Sequence, residues 1–151
     1  MTGQATTTRE VQEWLDTSPF ITFLGIKCTR CEPDEGHVTF LMPLRPELQR
    51  DSEPNRFHGG PIASLVDIAA DLAIMAFVRY PIPTINFRVD YLRPSLGPTL
   101  TATTWVRRIG RTLAIADVDV TDTDGNLTAI GRGTFATTNS ASVSNETAKR
   151  S

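Results

Sequence analysis

The feature that most constrains the fold is a long apolar segment that begins with His58-Gly59-Gly60-Pro61 and continues to Tyr80. Two glycines followed by a proline mark a helix start, because proline fits the first helical turn, where its missing N–H costs nothing. From Ile62 to Val78 nearly every residue is aliphatic, alanine, methionine or phenylalanine. A helix that is apolar on almost every side belongs in a protein core. At about 1.5 Å per residue this helix is roughly 30 Å long, so the rest of a small domain must wrap around it.

The polar residues of this helix form one stripe. Ser64, Asp67 and Asp71 are spaced three and four residues apart and therefore share one face. A carboxylate on a buried helix is costly unless it is paired, hydrogen-bonded or directed into a cleft. Partial burial also raises a carboxyl pKa, which suits a general base that works near neutral pH. The stripe therefore indicates a functional site on this helix and leaves open which acid serves it.

Composition argues against several classes of protein. The chain has 151 residues, enough for one domain with a sizeable core. Its net charge of -2 and the lack of a basic cluster argue against a nucleic-acid partner. Residues 1–10 are polar and contain no apolar signal segment, so a cytoplasmic location is expected. The long helix is not expected to span a membrane, since its two aspartates would each cost about 3 kcal/mol at a bilayer centre.

The sequence contains one Cys-x-x-Cys motif, formed by Cys28 and Cys31. The segment alternates like a β-strand, and a spacing of three residues would direct the two sulfur atoms to opposite faces. No second cysteine pair and no nearby histidine cluster complete a metal site in the sequence. We therefore expect two ordinary thiols in a reducing compartment and no bound metal.

The chain divides into an N-terminal helical segment over 1–24, a domain over 25–137 and a polar tail over 138–151 that we expect to be disordered. Helical spacing predicts a first helix over Arg9–Leu15 with Thr8 as its N-cap, and then a short turn or helix from Ser18. Residues 43–57 form a long loop rich in proline and arginine, and loops of this length are often functional. Alternating patterns predict six strands, over Gly25–Glu32, His37–Met42, Thr84–Leu92, Thr99–Ile109, Thr112–Thr121 and Leu127–Thr137.

These elements predict an α+β fold. The first two strands make a hairpin, and the four strands after the long helix are expected to form an antiparallel meander. Asp117 and Asp119 interrupt the apolar pattern of the fifth strand and indicate a bulge or an exposed edge. The result is a curved antiparallel sheet wrapped around one central helix. One sheet covers only part of so apolar a helix, so a partner subunit is expected to cover the rest.

Three motifs, in this order, resemble those of the hotdog-fold acyl-CoA thioesterases, in particular the phenylacetate-pathway type. They are Phe57-His58-Gly59-Gly60 followed by Asp67, then Asp90-Tyr91-Leu92-Arg93-Pro94, then Gly110-Arg111-Thr112-Leu113. The resemblance covers residues 25–137 and implies a homodimer, or a homotetramer built as a dimer of dimers, with active sites at the subunit interface. It also implies hydrolysis of an acyl-CoA to the free acid and coenzyme A. No metal or organic cofactor is implied, since coenzyme A enters only as part of the substrate.

The same resemblance implies a role for each site residue. The backbone N–H of Gly59 polarises the thioester carbonyl, and Asp67 of the other subunit activates water or attacks directly. Thr84 supplies a hydroxyl beside the water, and Asn55 in the preceding loop assists. Asp71 is then a structural or interface acid, with catalysis as its alternative role.

The chemistry of the residues is consistent with these roles. Thioester hydrolysis builds negative charge on the carbonyl oxygen, and a helix start at Gly59 and Gly60 offers unpaired N–H donors and close approach. His58 is expected to set the loop through a hydrogen bond between its ring and the backbone, and contact with substrate is its alternative role.

Coenzyme A carries several negative phosphate oxygens, and three arginines near predicted strand ends are candidates to bind them, namely Arg93, Arg108 and Arg111. The alternative for each is an ordinary surface charge. A non-catalytic acyl-CoA-binding protein is an alternative function. A hydratase acting on enoyl-CoA would need a closely placed Asp/His pair, and neither His37 nor His58 follows an acid at a suitable spacing.

Overall fold

The computed structural model describes residues 5–53 and 55–138. Residues 139–151, which make up nearly all of the tail predicted to be disordered, lie outside the described residues, as do residues 1–4. The order of helices and strands is the α+β order expected from the sequence. The elements are α1 (Thr8–Asp16), α2 (Pro19–Leu24), β1 (Lys27–Glu32), β2 (His37–Pro43), α3 (Gly59–Val78), β3 (Thr84–Tyr91), β4 (Thr99–Ile109), β5 (Leu113–Thr121) and β6 (Leu127–Ala136).

Helix α3 lies at the centre of the fold, as predicted. His58 caps its start, and the helix ends at Arg79, whose φ of 61° is left-handed. Ten of its 20 residues are buried, Leu65, Val66 and Ile74 among them. By length and composition α3 could cross a membrane, but 56% of its most apolar window is buried inside the protein. Its apolar character is therefore accounted for by its position in the core.

The helix rests directly on β6, because β6 carries glycines beneath it. A Cβ atom at Gly131 would lie 2.4 Å from Val66 Cγ1, and one at Gly133 would lie 3.3 Å from Ala70 Cβ. Side chains at these two positions would push the helix away from the sheet. The glycines thus set the depth at which α3, and every functional group on it, lies against the sheet.

One antiparallel sheet of six strands wraps around α3 in the order β1-β2-β4-β5-β6-β3. The predicted meander is correct for β4, β5 and β6, but β3 lies beyond β6 at the far edge rather than next to β4. The physical reason is the connection after β3, which crosses the end of the sheet. The Leu92 N–H, just after β3, donates to Thr128 O in β6. The Leu44 N–H, just after β2, donates to Pro98 O, so β4 begins next to the end of β2 and pairs with it.

Strand β5 lies in the middle of the sheet and not at an edge, so the exposed-edge interpretation of Asp117 and Asp119 is wrong. The alternating residues Ala114, Ala116, Val118 and Val120 are buried toward the helix, and the aspartates lie on the opposite face. On that outer face Asp117 accepts hydrogen bonds from Arg107 at 2.8 Å and from Arg132 at 2.6 Å. A carboxylate in a central strand is therefore stabilised by arginines on both neighbouring strands.

Helix α1 is tied to the far end of α3. Its N-cap is Thr7 rather than the predicted Thr8, because the Glu10 side chain completes a capping box with Thr7. Glu10 also accepts a hydrogen bond from Arg79 Nη2 at 2.8 Å. The residue that ends α3 thus anchors the N-terminal helix.

A β-bulge in β1 changes the direction of its cysteines. The pairing with β2 shifts register at Thr29, so Cys28 lies opposite Phe40 and Cys31 lies opposite Val38. Phe40 and Val38 are both buried, so the two cysteines share one face of the sheet. The prediction of opposite faces is wrong, because a bulge adds one residue and inverts the alternation. Both thiols are free, and burial raises the pKa of Cys28 to about 12 and that of Cys31 to about 11.

Candidate active site

The start of α3 is fixed by the loop that precedes it. The His58 N–H donates to Leu48 O at 2.8 Å, and the Phe57 N–H donates to Ser95 O at 3.1 Å. His58 Nδ1 accepts a hydrogen bond from the Gly60 N–H at 3.1 Å, which is the ring-to-backbone contact expected from the sequence. These bonds determine where the first N–H groups of the helix point.

Gly59 carries the N–H that stays available at this helix start. Within residues 5–53 and 55–138, no residue accepts a hydrogen bond from the Gly59 N–H, whereas the Gly60 N–H donates to His58 Nδ1. N–H groups in the first turn have no intrahelical partner and form the positive end of the helix dipole. Among the described residues, the Gly59 N–H is therefore the backbone donor that this helix start leaves without a partner.

A pocket of about 650 Å³ opens beside this helix start. Gly59, Gly60, Tyr91, Arg50 and Arg93 are among the residues that line it. The two arginines bring positive charge to a helix end that is already positive, which favours an anionic ligand. The sequence predicts Arg93 as a phosphate-binding residue, but it does not predict this role for Arg50. Arg50 lies in the irregular loop, and the fold of that loop back on itself brings it to the pocket.

Asp67 and Thr84 form a second group of site residues. Asp67 is half-buried in the middle of α3, and Thr84 is the first residue of β3. The Thr84 hydroxyl donates a hydrogen bond to Asp67 Oδ1 at 3.0 Å. Among the described residues, none donates a hydrogen bond to Asp67 Oδ2. The arrangement orients one carboxylate oxygen and leaves the other for a water molecule or a substrate atom.

Asp71 lies one helical turn beyond Asp67. Its Oδ1 is excluded from solvent and has no hydrogen-bond partner among the residues described. Burial, followed by repulsion from Asp67, raises the pKa of Asp71 to about 7. Asp71, which the resemblance makes a structural or interface acid, is therefore the acid of the stripe whose carboxyl pKa burial raises.

The two groups of site residues are separated along the same helix. Gly59 and Asp67 are eight residues apart, which corresponds to about 12 Å along the helix axis. That distance is too large for Gly59 and Asp67 of one chain to contact the same carbonyl group, which is what the roles implied by the resemblance require.

The sequence profile of the thioesterase superfamily matches residues 55–129 of this chain. Over 117 residues the chain is 32% identical to the medium/long-chain acyl-CoA thioesterase YigI of Escherichia coli K12, a match that covers 68% of this chain and 74% of YigI. The chain belongs to the thioesterase superfamily. It is also 34% identical over 97 residues to acyl-coenzyme A thioesterase 13 of Mus musculus, with 62% of this chain and 69% of that protein covered.

Solved structures of the thioesterase superfamily have the same fold. Zebrafish thioesterase superfamily member 2 superposes with a TM-score of 0.75 at 29% identity, covering 87% of this chain and 98% of that one. A mutant of the phenylacetic acid degradation protein PaaI from Thermus thermophilus superposes with a TM-score of 0.67 at 30% identity, covering 79% of this chain and 98% of that one. These similarities confirm the predicted hotdog fold and the predicted PaaI-like type.

Three predicted site residues of this thioesterase-superfamily chain do not line the pocket beside Gly59, namely Asn55, Arg108 and Arg111. Asn55 is exposed, and its φ of 69° makes it a left-handed turn residue, a conformation that asparagine tolerates well. Its carbonyl accepts a hydrogen bond from the Gly97 N–H. Arg108 and Arg111 lie at the turn between β4 and β5, at the opposite end of the sheet from Gly59. Of the three predicted arginines, Arg93 is the one that lines the pocket beside Gly59 of the same chain.

Proposed function

We propose that this protein is an acyl-CoA thioesterase that hydrolyses an acyl-CoA to the free acid and coenzyme A. The observation that carries the proposal is the available Gly59 N–H at the start of a buried 20-residue helix, beside a pocket that contains Arg50 and Arg93. An aligned donor at a helix N-terminus stabilises the negative charge that develops on a thioester oxygen. The arginines provide charge-assisted hydrogen bonds for the phosphate oxygens of coenzyme A.

In the proposed reaction Asp67 acts on the attacking water. Thr84 holds Asp67 Oδ1, and Oδ2 takes a proton from water as the water oxygen bonds to the thioester carbon. The carbonyl oxygen becomes negatively charged and is bound by the Gly59 N–H. The C–S bond then breaks, the carboxylic acid is released, and the coenzyme A thiolate leaves with the proton that Asp67 took from water, which returns Asp67 to the carboxylate. Direct attack by Asp67 Oδ2 is the alternative. It expels the coenzyme A thiolate and forms a mixed anhydride, and hydrolysis of that anhydride at the Asp67 carboxyl carbon would place an ¹⁸O label from water in Asp67 after a single turnover.

Two copies of the chain are needed to assemble this site, because Gly59 and Asp67 of one chain are about 12 Å apart. Strand β3 offers a surface for the second copy. It is an edge strand, and Ile85 and Phe87 on it are 55% and 41% exposed. Unpaired edge strands with exposed apolar side chains pair readily with another strand. We infer a homodimer joined through β3.

The geometry of β3 supports a shared site. Its first residue, Thr84, holds Asp67, and its last residue, Tyr91, holds Gly59 through a hydrogen bond of 2.7 Å to Gly59 O. Antiparallel pairing of two β3 strands about their middle would place Thr84 of one copy opposite Tyr91 of the other. Asp67 of one copy would then approach Gly59 of its partner. The dimer would contain two such sites.

The proposed reaction uses no metal or organic cofactor, and coenzyme A takes part only within the substrate. The association of two dimers into a homotetramer, the cytoplasmic location, and the contacts of Asn55, Arg108 and Arg111 with substrate stay predictions.

Thiol release from short, medium, long and aryl acyl-CoAs tests the proposal, with the unaltered protein and with Asp67→Asn. We expect at least one acyl-CoA to be hydrolysed and Asp67→Asn to lower kcat/KM about 10³-fold or more, because the variant cannot accept a proton. The matched control is Asp119→Asn on the outer face of β5, which should keep full activity.

Hydrolysis that survives in Asp67→Asn would contradict the role of Asp67. Tight binding of one acyl-CoA without turnover of any would instead support a non-catalytic binding protein. Light scattering on each variant separates loss of chemistry from loss of the dimer.

A further inference from the structure

Tyr91 contacts the residue whose N–H is proposed to bind the thioester oxygen. Its hydroxyl donates a hydrogen bond to Gly59 O at 2.7 Å. Its ring also covers Gly59 closely, since a Cβ atom at that position would lie 3.4 Å from both Tyr91 Cζ and Tyr91 Oη. One side chain thus restrains Gly59 both by a hydrogen bond and by packing.

The position of Tyr91 is set by a buried network at the end of β3. The Leu92 N–H donates to Thr128 O at 2.9 Å. Thr128 is fully buried, and its hydroxyl accepts a hydrogen bond from Ser95 Oγ at 2.7 Å. The Ser95 carbonyl in turn accepts from the Phe57 N–H, two residues before Gly59. The backbone on both sides of the Tyr91–Gly59 contact is therefore held by the same few buried groups.

We propose that Tyr91 is a positioning residue that holds the Gly59 N–H in the direction needed to bind the thioester oxygen. This inference rests on the proposed function. Packing against the Gly59 Cα and bonding to the Gly59 carbonyl limit rotation of the peptide groups on both sides of that residue. A donor stabilises a transition state best when it is aligned before the reaction begins. Tyr91 acts through Gly59, because its own hydroxyl proton is engaged by the Gly59 carbonyl.

The kinetic test is Tyr91→Phe, which keeps the ring and removes the hydrogen bond. We expect kcat to fall about tenfold and KM to stay within about twofold, a smaller loss than the ~10²–10³ found when an oxyanion donor is removed outright. The matched control is Tyr80→Phe. Tyr80 is the only other tyrosine in the sequence, and its hydroxyl donates to Thr137 O at 2.6 Å beyond the far end of α3. Its variant should retain the original kcat.

Three kinetic results would overturn the inference. An unchanged kcat in Tyr91→Phe would show that the hydrogen bond does not matter. A rise in KM alone would show that Tyr91 binds substrate instead. An equal loss of kcat in Tyr80→Phe would show a general effect of removing a tyrosine hydroxyl.

A second measurement does not depend on activity. In protein labelled with ¹⁵N-glycine, the Gly59 amide resonance is identified by its absence in Gly59→Pro. We expect Tyr91→Phe to shift this resonance, because the hydrogen bond to the adjoining carbonyl is lost, and Tyr80→Phe to leave it unchanged. An unmoved Gly59 resonance in Tyr91→Phe contradicts the inference, whereas a wild-type protein that hydrolyses no thioester contradicts the proposed function.

Discussion

At the scale of single residues, Asp71 shows how burial can set the charge of a side chain. Its carboxyl pKa is about 7 in the folded protein, against an ordinary value of 3.8. Between about pH 4 and pH 7 the unfolded chain therefore releases a proton that the folded chain keeps. The free energy of unfolding consequently falls as the pH rises through this range, and it stays lower above pH 7.

Asp71→Asn is expected to raise the free energy of unfolding at pH 8 by on the order of 2 kcal/mol, because asparagine keeps the shape but carries no charge to bury. At pH 4 the same substitution should have little effect. Urea unfolding at both pH values, followed by tryptophan fluorescence at one fixed protein concentration, measures the difference. The control is Asp124→Asn in the exposed turn between β5 and β6, and an equal effect of Asp71→Asn at both pH values would refute the explanation.

The sequence indicated one site contact that the structure contains, the bond between the His58 ring and the backbone, which follows from helix capping. The resemblance in motifs places the Thr84 hydroxyl beside the attacking water, and in the structure this hydroxyl donates a hydrogen bond to Asp67. The position of Arg50 at the pocket and the contact of Tyr91 with Gly59 were not predicted, because they depend on how the loop over 43–57 and the end of β3 meet in three dimensions.

At the scale of elements, the packing of α3 on β6 depends on the absence of a side chain at Gly131. A Cβ atom there would approach Val66 Cγ1 to 2.4 Å and the Arg88 backbone oxygen to 3.0 Å. Both neighbours belong to ordered elements, so neither moves without cost. The close contact makes Gly131 a packing requirement of the fold.

Gly131→Ala is expected to lower the free energy of unfolding by about 1–3 kcal/mol through overpacking. Val66→Ala in the same chain should recover part of this loss, because it removes the closer of the two contacts. A double-mutant cycle in urea gives the coupling between the two positions. Strictly additive losses would contradict direct contact between helix and strand as the cause.

Most elements could be predicted from periodicity, since α3 and the six strands follow simple apolar patterns. The predictions are wrong where the structure depends on how strands pair with one another and not on the apolar pattern within one strand. The bulge at Thr29 and the place of β3 at the sheet edge depend on neighbouring strands that a single segment does not reveal. The stability of a carboxylate at Asp117, in a central strand, likewise depends on arginines from the two neighbouring strands.

At the scale of the whole molecule, the proposed sites combine Gly59 of one subunit with Asp67 of the other. Gly59→Pro removes the N–H donor, and proline is well accepted at the first position of a helix. Each of the variants Gly59→Pro and Asp67→Asn should be inactive as a homodimer. Their heterodimer would contain one doubly altered site and one intact site.

Unfolding the two variants together in equal amounts and refolding them should therefore restore about a quarter of the wild-type thiol release, if subunits pair at random. The control is each variant refolded alone, which should stay inactive. No recovery in the mixture, with heterodimers demonstrated by mass spectrometry, would place both groups of each site within one subunit.

The position of Thr84 and Tyr91 at opposite ends of the eight-residue strand β3 has a consequence for how the protein behaves at low abundance. If each working site is completed only when two such strands meet, the rate per molecule depends on how many other copies are present. Well below the dissociation constant of the dimer, most chains would be monomers with two incomplete halves, and the rate per chain would fall in proportion to the concentration of the protein. Expression level would then set the activity of each chain as well as the number of chains.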